Sequence, residues 1–247
     1  MKLKVLNFPI SQTRNWIPLV PNKIKFIVVH HAKARHATPE DINKWHLVDN
    51  KWSGGFGYNE YIRKDGTVYI GRGDNVGAQC AGYNSVSYGI CCEGDFSVEP
   101  EMTDAQFKSL VERVAYHMDR FEDVRLMKHS QLYSTTCPAQ NFPWKELVDE
   151  VAYLKVLNNK YLVPKYKYLS RKMKRSKFIH GSVAQTMILR FAVMFKNIST
   201  FNEALQVLVD MGVLRTPAYW KRYARFYSRV RSRYLKKLMI DMSKHLR

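Results

Sequence analysis

Imidazole nitrogen and thiolate sulfur are donors that suit zinc. Among the donors of this kind in the 247-residue chain, three places stand out: His30 and His31 side by side, His129, and Cys137. Three protein ligands leave the fourth tetrahedral position open for water, whereas a closed structural site takes four. One cysteine accompanies the histidines and no second cysteine pair completes a finger, so the pattern favours an open site over a closed structural one. Whether His30 or His31 serves stays open at this level. Cys80, Cys91 and Cys92 do not form the dense framework of a small secreted disulfide domain, and Cys91 and Cys92, adjacent in a strand, point to opposite faces.

Elements must hold these donors. Ile24 to His30 is an apolar, β-branched run that predicts a buried strand ending in the histidines. Thr38-Pro39-Glu40-Asp41 is a helix start, with Thr38 as cap and Pro39 in the first turn. Ile42, Trp45 and His46 then share one helix face. Tyr58 to Arg63 and Thr67 to Gly71 flank Lys64-Asp65-Gly66, which predicts a hairpin. Tyr88 to Glu93 predicts another strand. Thr103-Asp104 opens a helix carrying Phe107, Leu110, Val111, Val114 and Met118, and a last helix begins near Pro143 and carries Leu147, Val151 and Leu154. The sum is an α/β layout, a mixed central sheet flanked by helices.

Charge divides the chain. Residues 1–154 hold 18 Lys and Arg against 18 Asp and Glu, while residues 155–247 hold 22 against 3, so the whole formal net charge of +19 lies in the last third. This asymmetry predicts a neutral catalytic module over 1–154, a basic linker over 155–180 around Arg171-Lys172-Met173-Lys174-Arg175, and a smaller basic all-α domain over 181–247. Its helices are expected over Ser182 to Phe195, Ser199 to Met211 with Gly212 as stop, and Pro217 to the end. In the last, Trp220, Tyr223, Tyr227, Val230, Tyr234, Leu238 and Met242 make an apolar stripe. The plain reading is a bundle with a solvated basic face; the sharper one is a face that engages a polyanion or membrane surface. No apolar run is long enough to span a bilayer, and Pro9, Gln12, Arg14 and Asn15 interrupt any signal-peptide core, so a chain made in the cytoplasm without a cleaved signal is expected.

The order of segments resembles the zinc-dependent N-acetylmuramoyl-L-alanine amidases typified by phage lysozyme-type endolysins and animal peptidoglycan recognition proteins. The resemblance covers about residues 24 to 148. It rests on Phe26-Ile27-Val28-Val29-His30-His31, Ile42-Asn43-Lys44-Trp45-His46, Gly57-Tyr58 with Tyr61 to Thr67 and Gly71-Arg72, Gly82-Tyr83-Asn84 with Ser87 and Gly89-Ile90, and His129 followed after seven residues by Cys137-Pro138. It implies that His30, His129 and Cys137 bind Zn2+, with His31 on the opposite face. It further implies that Tyr58 and Thr135 assist catalysis and that Asn84 lies beside a substrate groove. Gln79 stands where many members carry histidine and is placed with Asn84 at the substrate; Asn59 likewise replaces a common histidine. The implied reaction is attack of zinc-activated water on the bond between N-acetylmuramic acid and L-alanine in peptidoglycan, as in an endolysin acting on the wall. No carboxylate is marked as general base.

Ala204 to Leu208, Gly212 to Leu214 and Thr216 to Trp220 are faintly similar to helical repeats appended to some endolysins. That similarity implies a wall-targeting module, for which an anionic cell-envelope polymer or lipopolysaccharide is the expected partner. Two rival readings are a catalytically silent peptidoglycan-binding protein, whose members lack the cysteine ligand, and a nucleic-acid binder, argued from the charge but unsupported by any recognition motif.

Overall fold

The computed structural model describes residues 2–158, 173, 176–196, 198, 200–224 and 229–246. The basic run at 171–175, apart from Met173, and Tyr227 of the apolar stripe lie outside them. The chain divides into two compact units, residues 1–147 and 148–247, and the division falls within one helix.

The first unit is built on a six-stranded mixed sheet in the order β1-β4-β3-β5-β2-β6. The strands are β1 Lys2–Val5, β2 Phe26–His31, β3 Glu60–Ile62, β4 Thr67–Ile70, β5 Ser87–Cys92 and β6 Arg125–Lys128. Only β3 and β4 pair antiparallel, through the foreseen hairpin; the pairs β1–β4, β3–β5, β5–β2 and β2–β6 are parallel. Every residue of β2 and of β5 is buried. That is the mark of parallel strands covered on both faces, and it explains why Phe26 to Val29 read as an unbroken apolar run.

Four helices belong wholly or partly to this unit: α1 Ile10–Thr13, α2 Pro39–Lys44, α3 Asp104–Arg120 and α4 Trp144–Asn158. The Thr38 side chain accepts from the Asp41 N–H while the Asp41 carboxylate accepts from the Thr38 N–H, a complete capping box. After Lys44 the helix widens into a π-type turn over Trp45–Asp49. Helix α3 starts at Thr103 as its sequence signals. On its inner side, Glu60 from β3 receives hydrogen bonds from Arg113 and His117 of α3 and, at 3.0 Å, from Tyr88 of β5. The other face of the sheet carries Tyr61 and Cys91, packed with Ala37, Ile42 and Phe56. Strands β1 and β6 were not foreseen. β1 alternates polar and apolar residues but is short and exposed along its length, while β6, at most half-buried, has neither an apolar run nor clean alternation.

The second unit has its own core, in which Ile188, Phe191, Leu208, Trp220, Val230, Leu235 and Met239 are buried. Its helices are α5 Gly181–Val193, α6 Phe201–Asp210, α7 Pro217–Tyr223 and α8 Ser232–Ser243. It is mainly helical, but it also carries an antiparallel ribbon of β7 Phe178–His180 and β8 Arg229–Arg231, with Ile179 opposite Val230. This corrects the expectation of one helix from Pro217 to the end: Val230 reaches the core from a strand, where its β-branched side chain fits, rather than from a helical stripe. At the start of the predicted linker, residues 155–158 continue α4, and Val156 is buried in this core.

Candidate metal centre and active site

The site is set by strand register. Parallel strands β2 and β6 pair Val29 with Lys128, so the next residue of each, His30 and His129, emerge side by side at the carboxyl ends of the strands. Their ring centroids are 4.5 Å apart. The chain turns after β6 through a short 3-10 helix, His129–Gln131, and the Ser130 N–H donates to the Cys137 carbonyl at 2.9 Å. That bond returns residue 137 to the strand ends. The donor atoms of His30, His129 and Cys137 all lie within 4.8 Å of one another, with Cys137 Sγ 3.8 Å from His30 Nδ1.

His31 faces the other way. Its Nδ1 accepts from the Phe96 N–H at 3.1 Å, and its ring stacks on Phe96. The alternation of a strand thus separates two adjacent histidines that composition alone could not tell apart.

His30 is held by Gln79. His30 Nε2 lies 2.6 Å from Gln79 Oε1, while Gln79 Nε2 donates to Ser87 Oγ at 2.7 Å and Ser87 Oγ donates to the Tyr83 carbonyl at 2.8 Å. The amide nitrogen of Gln79 is committed as donor, so its oxygen accepts and His30 carries its proton on Nε2. The Nδ1 lone pair is left facing Cys137 and His129. A hydrogen bond on the far ring nitrogen is the usual way a protein orients a metal-binding imidazole. Gly89 makes this contact possible, since a Cβ there would stand 2.6 Å from Gln79 Cγ and Cδ.

Burial sets the protonation states. It lowers the His30 pKa from 6.5 to about 3, with His129 adding to the shift, and lowers that of His129. Both rings are therefore neutral near pH 7, the form that ligates metal. Burial pushes the Cys137 thiol up to about 11, a penalty that a bound cation reverses by holding the thiolate. Two neutral imidazoles and a thiol whose donor atoms converge, with no fourth His, Cys, Asp or Glu grouped with them among the described residues, fit a zinc ion that keeps one position open.

Tyr58 and Thr135 flank the cluster. The Tyr58 ring is 5.3 Å from that of His30, and burial, followed by the nearby Cys91 and Cys137 thiols, raises its pKa well above 10. At neutral pH it is a hydrogen-bond donor and no base. Thr135 Oγ1 accepts from the Cys137 N–H at 3.3 Å, which leaves its own hydroxyl proton to donate. Asn84 Oδ1 accepts from the N–H groups of Gln79 and Cys80, both at 2.9 Å, so that residue shapes the turn carrying Gln79 and keeps its amide nitrogen for another acceptor. Both polar ends of Gln79 are used within the protein, which sets it behind His30.

Two residues that the sequence named without assigning a role support the site. His46 is buried on the π-type turn, where its Nδ1 accepts from the Gly57 N–H at 2.9 Å and its ring lies 5.3 Å from Tyr58. Asn59 donates to the carbonyls of Gly73 and Asn75 and accepts from the Gly89 N–H, tying the hairpin to β5. The wide turn at Trp45–Asp49, rather than helical spacing, brings His46 under the tyrosine.

The model of the N-acetylmuramoyl-L-alanine amidase family matches residues 20–140. Peptidoglycan-recognition protein SC2 of Drosophila melanogaster is 31% identical over 138 residues, which are 51% of this chain and 73% of that protein. The endolysin of Klebsiella phage KP32 is 33% identical over 118 residues, 44% of this chain and 77% of the endolysin. Among solved structures, the N-acetylmuramoyl-L-alanine amidase LysC from Clostridium intestinale URNW superposes with a TM-score of 0.52 at 35% identity, covering 60% of this chain and 95% of that one. With this sheet, these three donors at the ends of its strands and relatives of this closeness, the chain belongs to the N-acetylmuramoyl-L-alanine amidase family, the peptidoglycan hydrolases that include phage endolysins.

Proposed function

We propose that the chain is a zinc-dependent N-acetylmuramoyl-L-alanine amidase of endolysin type, with His30, His129 and Cys137 as metal ligands. The observation that carries this reading is the convergence of their donor atoms within 4.8 Å on a His30 whose proton is held on the far nitrogen by Gln79. A bound zinc supplies a Lewis acid for the amide carbonyl and lowers the pKa of water toward neutrality. The remaining work falls to the chain's own residues. The Tyr58 phenol, kept protonated by burial, and the Thr135 hydroxyl donate to the oxygen of the muramoyl carbonyl as it gains charge. Asn84 offers its amide nitrogen to the stem peptide or the sugar. Gln79 acts through His30 and leaves the substrate to its neighbours. The basic second unit is the part suited to an anionic envelope polymer or lipopolysaccharide.

The test is mass spectrometry of products from purified peptidoglycan, with and without a chelator. The expected result is free stem peptides beginning with L-alanine, lost on chelation and restored by zinc. Intact peptidoglycan in the presence of a zinc-loaded protein would replace this reading with recognition without cleavage.

A further inference from the structure

The second unit contains a cavity of about 470 Å³, inside the roughly 300–1,000 Å³ range of small-ligand sites. The segment Gly212 to Trp220, singled out in the sequence for its repeat-like pattern, lines one part of it, and one face of α8 lines another. Tyr219 and Tyr234 meet edge to face there, with ring centroids 4.9 Å apart. Three cations, Arg215, Lys237 and Lys244, and a single carboxylate, Asp241, line it, and Asp241 sits 2.6 Å from Lys237 Nζ and 3.0 Å from Lys244 Nζ. Arg215 is exposed and makes no ion pair with another described residue. Ion pairs as exposed as those of Lys237 and Lys244 hold weakly and exchange readily for a ligand.

Rings beside cations suit an anion that also presents flat or apolar ring faces. Asp241 narrows the class. A polyphosphate or nucleic acid would set a dense row of negative charge against that carboxylate, whereas hydroxyl and acetamido groups of a sugar can donate to it. A sparsely charged glycan suits this lining best. The proposed reaction makes one: the C–N bond breaks, the oxygen of water bonds to the carbonyl carbon, and the nitrogen leaves with the protons as an ammonium. Each cut leaves one carboxylate on a muramic acid and none on the intervening glucosamine.

We propose that this cavity binds the peptide-free glycan strand, the product of the chain's own hydrolysis, with sugar rings against Tyr219 and Tyr234 and the new lactyl carboxylate on Arg215, Lys237 and Lys244. The identity of the ligand rests on the amidase reading; the chemistry of the cavity does not. A module of this kind gains hold on the wall as cleavage proceeds.

The experiment uses the full zinc-loaded chain and glycan strands stripped of peptides by an unrelated amidase, so that the ligand exists whether or not this chain hydrolyses anything. Affinity is measured for these strands, for the same strands with carboxylates converted to methylamides, and for single-stranded DNA. The expected result is binding that falls about tenfold or more on methylamidation, the loss typical of one charge-assisted hydrogen bond. Similar losses are expected for Arg215→Ala and Tyr234→Ala, with hydrolysis of soluble muropeptides unchanged. Equal affinity for free and methylamidated strands, unaltered affinity in both variants, or DNA that binds more tightly than the glycan would each overturn the proposal. Soluble-substrate hydrolysis, read in parallel, reports on the amidase reading separately.

Discussion

At the scale of single residues, the candidate centre depends on one hydrogen bond as much as on its three donors. Gln79 has no titrating group, yet it decides which nitrogen of His30 is free, because its own amide is oriented by Ser87. Gln79→Ala is expected to weaken zinc binding about 10- to 100-fold, the usual cost of losing such an outer partner, as measured by competition with a chromogenic chelator. Unchanged affinity would show that packing alone orients the ring. Cys137→Ser is expected to lose both zinc and lysis, since a hydroxyl is a far poorer ligand than a thiolate; full activity in a metal-free Cys137→Ser protein would sink the zinc mechanism. The three donors were legible in the sequence as types. The role of Gln79 was not, because its partners lie 49 and 8 residues away and only the folded sheet brings them together.

At the scale of elements, the sheet is locked to α3 by a buried charge cluster. Burial alone would raise the Glu60 pKa, but hydrogen bonds from Arg113 and His117 bring it down to about 2. Arg113→Ala would leave that carboxylate buried without its main partner, and a loss of about 3–5 kcal/mol is expected in urea unfolding. The π-type turn has its own signature. Burial, with Arg72 adding to it, lowers the His46 pKa from 6.5 to about 4. The unfolded chain takes up this proton below about pH 6.5 and the folded chain only near 4. His46 therefore leaves stability whole above pH 6.5 and subtracts from it as pH falls between those values, by on the order of 3 kcal/mol. His46→Gln, which keeps an acceptor for the Gly57 N–H, is expected to flatten that part of the pH–stability curve; a curve of unchanged slope would assign the acid sensitivity elsewhere.

At the scale of the whole molecule, charge and chemistry are divided. The first 154 residues carry no net charge and the last 93 carry +19, while the candidate metal ligands all lie in the first unit. Binding of the full chain to insoluble walls is therefore expected to fall steeply with added salt, as screening predicts for a surface-exposed basic unit, while hydrolysis of small soluble muropeptides stays nearly constant between low and physiological salt. Parallel losses in both assays would mean that the basic unit contributes to the chemistry itself. Among the described residues no helix is long and apolar enough to cross a membrane.

The sequence by itself determined the strands that are buried on both faces, the capped helices α2 and α3, the hairpin, the charge division and the donor types. Each of these is written in local periodicity, in caps and turns, or in plain composition. Only the tertiary structure decided the rest. Edge strand β6 takes its conformation from a neighbour's hydrogen bonds rather than from its own pattern, and the four-residue alternation of β1 is too short to mark a strand without its partner β4. Val230 is claimed by a ribbon because a strand partner, Ile179, lies opposite it. His30 is distinguished from His31, and joined to His129 and Cys137, by the register of parallel strands whose residues are about a hundred positions apart, a long-range pairing that no local pattern encodes.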